Sequence, residues 1–205
     1  MTDRRPRSRR DGRRPATAAR RALLALASAA ALAGCVSTRD EPFPLDGGDA
    51  AAVRLGDYLC ATHDRNGHAS ANAGRLVQLR ANGKTQYVFL DSESASVEPF
   101  TLHKVEDGVY FVAAAHSDAP GENVLLVRLA ADGATFRVFA IDEAATARAQ
   151  ALARRRAVTL SHSQFGDDLS GPVDAQRAFL LELAADPAGW RMTMECRAGA
   201  RPCGR

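Results

Sequence analysis

Between residues 57 and 141 apolar and polar side chains alternate in short runs. Three triplets interrupt them, Ala81-Asn82-Gly83, Glu106-Asp107-Gly108 and Ala131-Asp132-Gly133, with their glycines 25 residues apart each time. Asn-Gly and Asp-Gly suit tight hairpin turns, because the turn needs positive φ, which Gly adopts freely and Asn or Asp tolerates. The pattern predicts three hairpins, pairing 75–80 with 84–90, 100–105 with 109–114, and 124–129 with 135–141. Tyr87 and Phe89 share one face of their strand, as do Phe100 with Leu102 and Phe136 with Val138, the arrangement of a sheet with one buried side. Residues 57–62 add a strand in front. Two strands, a turn and a loop fill such a period in any meander, so the repeat does not require a solenoid or propeller.

After Ile141 the period changes. Asp142 can cap a helix over 143–156, rich in Ala, with Arg154-Arg155-Arg156 at the end where cations meet the helix dipole favourably. A second helix starts near Asp174 behind Pro172 and stops at Asp186-Pro187. Its apolar face is read as Ala178, Leu180, Leu181, Leu183 and Ala184, which should pack on the sheet. The tail over 190–196 can return as an eighth strand with Trp190, Met192 and Met194 on one side. Strands first and helices after give the fold class α+β: a curved antiparallel β-meander of about seven or eight strands, a partial barrel, with one or two C-terminal helices over its open side.

The chain ahead of the meander has a different texture. Residues 1–21 hold nine arginines against Asp3 and Asp11, a formal charge of +7. Behind them, 22–33 is apolar except for Ser28, a run too short for the roughly 20 residues that span a bilayer. A cationic segment followed by a short apolar run is the form of an export signal. The run ends in Leu32-Ala33-Gly34-Cys35, which resembles the lipobox of bacterial lipoproteins. That resemblance covers the junction alone, and it implies cleavage between Gly34 and Cys35, with Cys35 carrying a diacylglyceryl thioether and an acylated amine. Several acyl chains, at about 0.8 kcal/mol per buried methylene, would hold the protein on a membrane. In enterobacterial lipoproteins an Asp after the lipidated Cys retains the protein in the inner membrane; Val36-Ser37 here implies outer-membrane sorting, facing the periplasm. Arg20-Arg21 before Ala22-Leu23-Leu24 also resembles a twin-arginine signal, which leaves the export route open.

Charge changes the picture once the signal is set aside. Residues 35–205 carry eighteen basic and twenty-two acidic side chains, a formal charge of −4 where the whole chain reads +3. A nucleic-acid role loses its basis, because phosphate binding needs a basic face on the folded domain. Residues 36–52, with Pro42, Pro44, Gly47 and Gly48, show no apolar period. The expected division is therefore a signal over 1–34, a lipid-anchored flexible linker over 35–52 and one globular domain over 53–205.

Cys60, Cys196 and Cys203 follow Cys35, an odd number in an oxidising compartment, so one internal disulfide at most can form. Cys60 with Cys196 would join the first and last strands, Cys196 with Cys203 is the local rival, and Cys60 as a buried thiol is the third arrangement. Cys60, His63, Asp64 and His68 lie close enough for a zinc ion to gather three of them, yet structural zinc favours two separated ligand pairs, and the expectation is no metal and no cofactor. No nucleophile elbow, activated cysteine, Ser-x-x-Lys or phosphate-cradling glycine motif is present. Ser161-His162-Ser163 reads as a polar surface turn, Asp167-Asp168 as ordinary turn acids without the spaced ligands of a calcium loop, and 154–156 as a solvated helix end. The role implied is a noncatalytic binding or structural module on the membrane, taking an envelope protein or a small ligand in the concavity of its sheet. The alternatives are an enzyme whose scattered site leaves no local motif, or an inhibitor. For the latter, Tyr58-Leu59-Cys60 on a lipid-anchored sheet domain resembles the membrane-bound lysozyme inhibitors of Gram-negative bacteria. That family presents a Ser-Gly loop ending in an aromatic residue, whereas Ser170-Gly171 here precedes a helix.

Overall fold

The structure is a computed structural model that describes residues 36–63, 68–81, 83–91, 99–115, 120–163 and 166–199. Each glycine turn closes a hairpin, with Gly83, Gly108 and Gly133 at φ of 77°, 75° and 64°. The described strands are β1 Val36–Thr38, β2 Gly56–His63, β3 Ala69–Ala81, β4 Lys84–Asp91, β5 Pro99–Glu106, β6 Val109–Ala115, β7 Glu122–Leu129, β8 Thr135–Ile141, β9 Thr159–Ser163, β10 Gly166–Ser170 and β11 Trp190–Ala198. Two helices, α1 Thr146–Arg155 and α2 Val173–Ala184, lie late in the chain. The fold is α+β, with an antiparallel sheet closed into a barrel.

Eight strands make the ring, in the order β2, β3, β4, β5, β6, β7, β8, β11 and back to β2. Closure rests on the β11–β2 ladder, where Met194 to Ala198 run opposite Thr62 to Tyr58. In the middle of that ladder Cys196 stands directly across from Cys60, and the two form a disulfide with Cα atoms 4.0 Å apart. Full closure removes the free edges that a flat meander would expose.

The sheet branches at β7. Its C-terminal half, from Leu126 to Leu129, pairs with β8, while Glu122 to Val124 pair instead with β1. β1 then pairs in parallel with β10, and β10 with β9. Two cores result. Tyr58, Leu76, Tyr87, Leu102, Tyr110, Val127, Phe136 and the disulfide fill the barrel. Phe111, Val124 and Leu126, on the outer faces of β6 and β7, pack with Val36, Phe43, Leu169 and the helices in a second cluster. Full burial of each such side chain contributes about 1.5–3 kcal/mol. The alternate-face reading of Tyr87, Phe89, Phe100, Leu102, Phe136 and Val138 places all six on the inside, as found.

Four expectations are corrected. Residues 36–52 are no flexible linker: Val36 is 1% exposed, Thr38 3% and Phe43 2%, and β1 is paired on both sides. A segment that crosses a sheet rather than following it leaves no period to read. Trp190 and Met194 do not share a side, because the register shifts between Met192 and Met194; Trp190 enters the outer core while Met194 faces the barrel interior. On α2 the buried positions are Gln176, Phe179, Leu180, Leu183 and Ala184, leaving Leu181 38% exposed. Residues 161–163 and 167–168 are strand, not turn, and form the β9–β10 ladder. Asp142 does cap, accepting from the Ala144 amide at 2.9 Å, although the first turn it caps is a 3-10 turn over Glu143–Ala145.

Because the disulfide spans the closing seam across 136 residues of sequence, the double substitution of Cys60 and Cys196 to Ala should lower stability by about 2–5 kcal/mol in a denaturant titration. No change in midpoint would show that this pair is not bonded in the protein.

Candidate functional site

The two ends of the barrel differ. At one end lie the glycine turns, and residues 48–54 cross it. The Gly48 amide donates to the Thr85 carbonyl at 3.2 Å, Asp49 to Leu102 at 2.6 Å and Arg54 to Gly133 at 2.8 Å. The Ala51 amide donates to the Tyr87 hydroxyl at 3.0 Å, and the Tyr58 hydroxyl donates to the Arg54 carbonyl. Ala51 and Val53 pack inward on the barrel core. Gly133 has a second constraint besides its turn, since a Cβ there would come within 2.2 Å of the Ala52 carbonyl oxygen. This end is plugged by the chain itself.

At the other end the chain joins β2 to β3, β4 to β5 and β6 to β7. Inward side chains are partly exposed towards both ends, with Ala51, Val53, Leu129 and Ala198 near the plug and a second group here. Phe89, Phe100, Val112, Leu125 and Met194 belong to the barrel interior yet remain partly exposed, while Tyr58 and Tyr87 beneath are fully buried. Polar groups ring them. Thr62 and Ser70 face each other across β2 and β3 and share a hydrogen bond, and the Ser37 hydroxyl donates to the Asn123 side-chain carbonyl at 2.9 Å. Arg191 pairs with Ala140 in the ladder, which puts it on the inner side of β11 beyond the register shift, half-buried. Among the described residues no ion pair of Arg191 occurs. These apolar side chains, the polar pairs and Arg191 lie at the end of the barrel whose connecting residues 64–67, 92–98 and 116–119 are outside the described residues.

Beside this rim sits a buried acid. Glu122 is fully buried; one carboxyl oxygen accepts from the Phe43 amide at 3.0 Å and the other has no partner among the described residues. Desolvation pushes its pKa up to about 8, the Phe43 amide opposes that, and Glu41 adds repulsion. The Glu122 carbonyl also accepts from the Thr38 hydroxyl at 3.3 Å. Gly121 backs onto the same strand so closely that a Cβ would lie 1.8 Å from the Thr38 oxygen. Gln176, also fully buried, donates to Asp40 at 3.0 Å and to the Gly171 carbonyl at 2.7 Å. Phe43 stacks near His103 and Phe111 at 5.2 and 5.0 Å, with the Arg177 guanidinium 5.7 Å from its ring. Burial lowers the pKa of His103.

The residues singled out in the sequence are not gathered. Cys60 is oxidised and offers no thiolate to a metal, while His63 ends β2 and His68 precedes β3; Asp64 lies outside the described residues, as do Gly34, Cys35 and Cys203. Among the described residues no group of three His, Cys, Asp or Glu is placed to hold a metal. His162 is on β9, beside α1, and pairs with Asp167 at 2.9 Å. Arg155 and Arg156 both reach Glu182 on α2, at 3.0 and 2.7 Å, and pull its carboxyl below the usual range, so they tie the two helices together. Ser170-Gly171 is the short link into α2, packed close to Ala157 and Val158. Sequence reading missed Glu122, Arg191 and Asn123, because an acid, an arginine and an amide near strand ends look like surface residues. No helix among the described residues is long and apolar enough to cross a membrane. Comparison with known proteins finds no family model, no curated protein and no solved structure that matches this chain.

Glu122 generates a pH dependence. Its folded pKa lies above its ordinary value of 4.5, so the folded state keeps a proton that the unfolded chain releases. Its contribution is fully present below pH 4.5 and is lost as pH rises towards about 8, at up to about 1.4 kcal/mol per pH unit. Glu122→Gln, which mimics the protonated carboxyl, should match the parent at pH 4 and be more stable at pH 9. Parallel stability curves for the two proteins would mean that Glu122 ionises freely in the fold.

Proposed function

We propose that the protein is a noncatalytic envelope lipoprotein, lipidated at Cys35 and sorted to the outer membrane facing the periplasm, whose barrel takes a small amphiphilic ligand at its rim. The observation that carries the ligand reading is the inward placement of Phe89, Phe100, Leu125 and Met194, partly exposed, beside Thr62, Ser70 and Arg191 at the end of the barrel away from residues 48–54. Rim-exposed apolar interior favours an aliphatic or aromatic body, and Arg191 favours an anionic head through charge-assisted hydrogen bonds. A disulfide across the barrel seam suits an oxidising compartment. Support for the anchor is the charge, length and Leu32-Ala33-Gly34-Cys35 junction of the signal.

Two measurements test this reading. Cys35→Ser should shift the protein from the membrane to the soluble fraction and remove the acyl mass from its N-terminal peptide; an unchanged mass and distribution would end the lipoprotein assignment. Titration with a fluorescent long-chain fatty acid should give saturable binding to the Cys35→Ser protein. Arg191→Ala should weaken the acid about tenfold but leave its methyl ester within about twofold. Absence of binding to either probe, or equal loss for both, would contradict the proposed site.

A further inference from the structure

The lipid reading and the structure together leave no spacer between the anchor and the fold. We infer that the domain is seated directly on the lipid headgroups, by the side of the barrel that carries β1 and the β9–β10 hairpin, instead of hanging from a tether. This rests on the assignment of Cys35 as the lipidated residue.

Cys35 is joined by a single peptide bond to Val36, so their Cα atoms are about 3.8 Å apart. The interfacial layer on one side of a bilayer is roughly 5–8 Å thick, the difference between a ~30 Å hydrocarbon core and a 40–45 Å total, halved. A cysteine whose acyl chains enter the core therefore holds Val36 within or at the edge of the headgroups. Val36 cannot act as the first link of a tether, because it is 1% exposed and lies opposite Val124 on one side and Asp167 on the other. Nor can the next residues, because Thr38 is bonded to the Glu122 carbonyl and Phe43 to the Glu122 carboxyl. Exposed residues close by are Asp168, opposite Ser37, Ser161, opposite Asp168, and Arg39, Asp40 and Glu41 directly after β1, one cation against two acids. Adjacent strands are about 4.8 Å apart, so Ser161 lies about 10 Å from Ser37. The described residues of β9 and β10 include two aspartates and neither Lys nor Arg. Attraction to anionic lipid is therefore not what seats the domain; the thioether is. The rim, at Glu122, is two residues along β7 from the level of Val36, about 7 Å, so it stands beside the bilayer too.

The test uses full-length lipidated protein in phosphatidylcholine vesicles, in a Cys203→Ser background. A fluorophore is placed at Ser161→Cys or, on the strand opposite β7 in the ring, at Leu79→Cys, which is 42% exposed in the parent. A headgroup-attached nitroxide quencher should quench the first label at least threefold more than the second, and salt should not alter the ratio. A twelve-residue Gly-Ser insertion between Cys35 and Val36 should bring the ratio close to one. Equal quenching of both labels in the directly anchored protein would overturn the inference. So would binding of the unlipidated Cys35→Ser protein to anionic vesicles through the same face, since charge would then seat it. The mass of the N-terminal peptide separates the two levels: an unacylated Cys35 sinks the lipoprotein reading, whereas an acylated Cys35 with symmetric quenching sinks the seating alone.

Discussion

A backbone amide at Phe43 and a carboxyl at Glu122 meet 3.0 Å apart where water is excluded. That contact commits the chain between β1 and β2 to the side of the barrel. An amide left unpaired in the same place would cost about 1–3 kcal/mol, and a charged carboxyl far more, which is why the acid is held protonated. With residue 43 fixed, the Phe43 ring fills the space between His103, Phe111 and Arg177, and the chain is delivered to the far end, where residues 48–54 close the barrel. The plug at one end of the barrel follows from this path. So does the position of Val36, held between two strands immediately after Cys35, the residue we propose to be acylated.

Closure divides the hydrophobic residues into two sets with separate tasks. Those facing inward pack around Tyr58, Tyr87, Phe136 and the disulfide and fill the barrel. Those facing outward on β6 and β7 need a cover, which the helices and the N-terminal segment supply; Trp190 joins that cover and donates its ring N–H to the Leu183 carbonyl at 2.8 Å. The register shift between Met192 and Met194 lets one strand serve both cores and turns Arg191 towards the rim. A single bulge thus links packing to the chemistry of the rim.

What could be read from the sequence was what local rules govern. The barrel strands and both helices announced themselves through alternation, Asn-Gly or Asp-Gly turns and capping residues, each a matter of a few neighbouring positions. β1, β9 and β10 did not. They are three and five residues long, mostly polar, and exist because β7 leaves half an edge unpaired, a fact about residues more than eighty positions from β1. The segment over 36–52 was misread as a flexible linker for the same reason, since Phe43 and Ala51 make anchoring contacts without a repeating pattern. At the site, Phe89 and Phe100 were placed correctly as inward residues, while Glu122 and Arg191 carry meaning only through burial and through a register shift that no spacing rule foretells. The equal spacing of the three glycines showed a meander but not its closure; the cysteines on the first and last strands of that meander were the clue to the seam.

Whether residues 36–54 belong to the fold is the claim on which the rest stands. Amide hydrogen exchange, measured on the soluble Cys35→Ser protein near neutral pH, reads it directly at Phe43, Ala51 and Arg54. The account predicts that these amides exchange as slowly as those of β6 and β7, through global unfolding. Exchange within seconds, as in an unstructured tether, would contradict it.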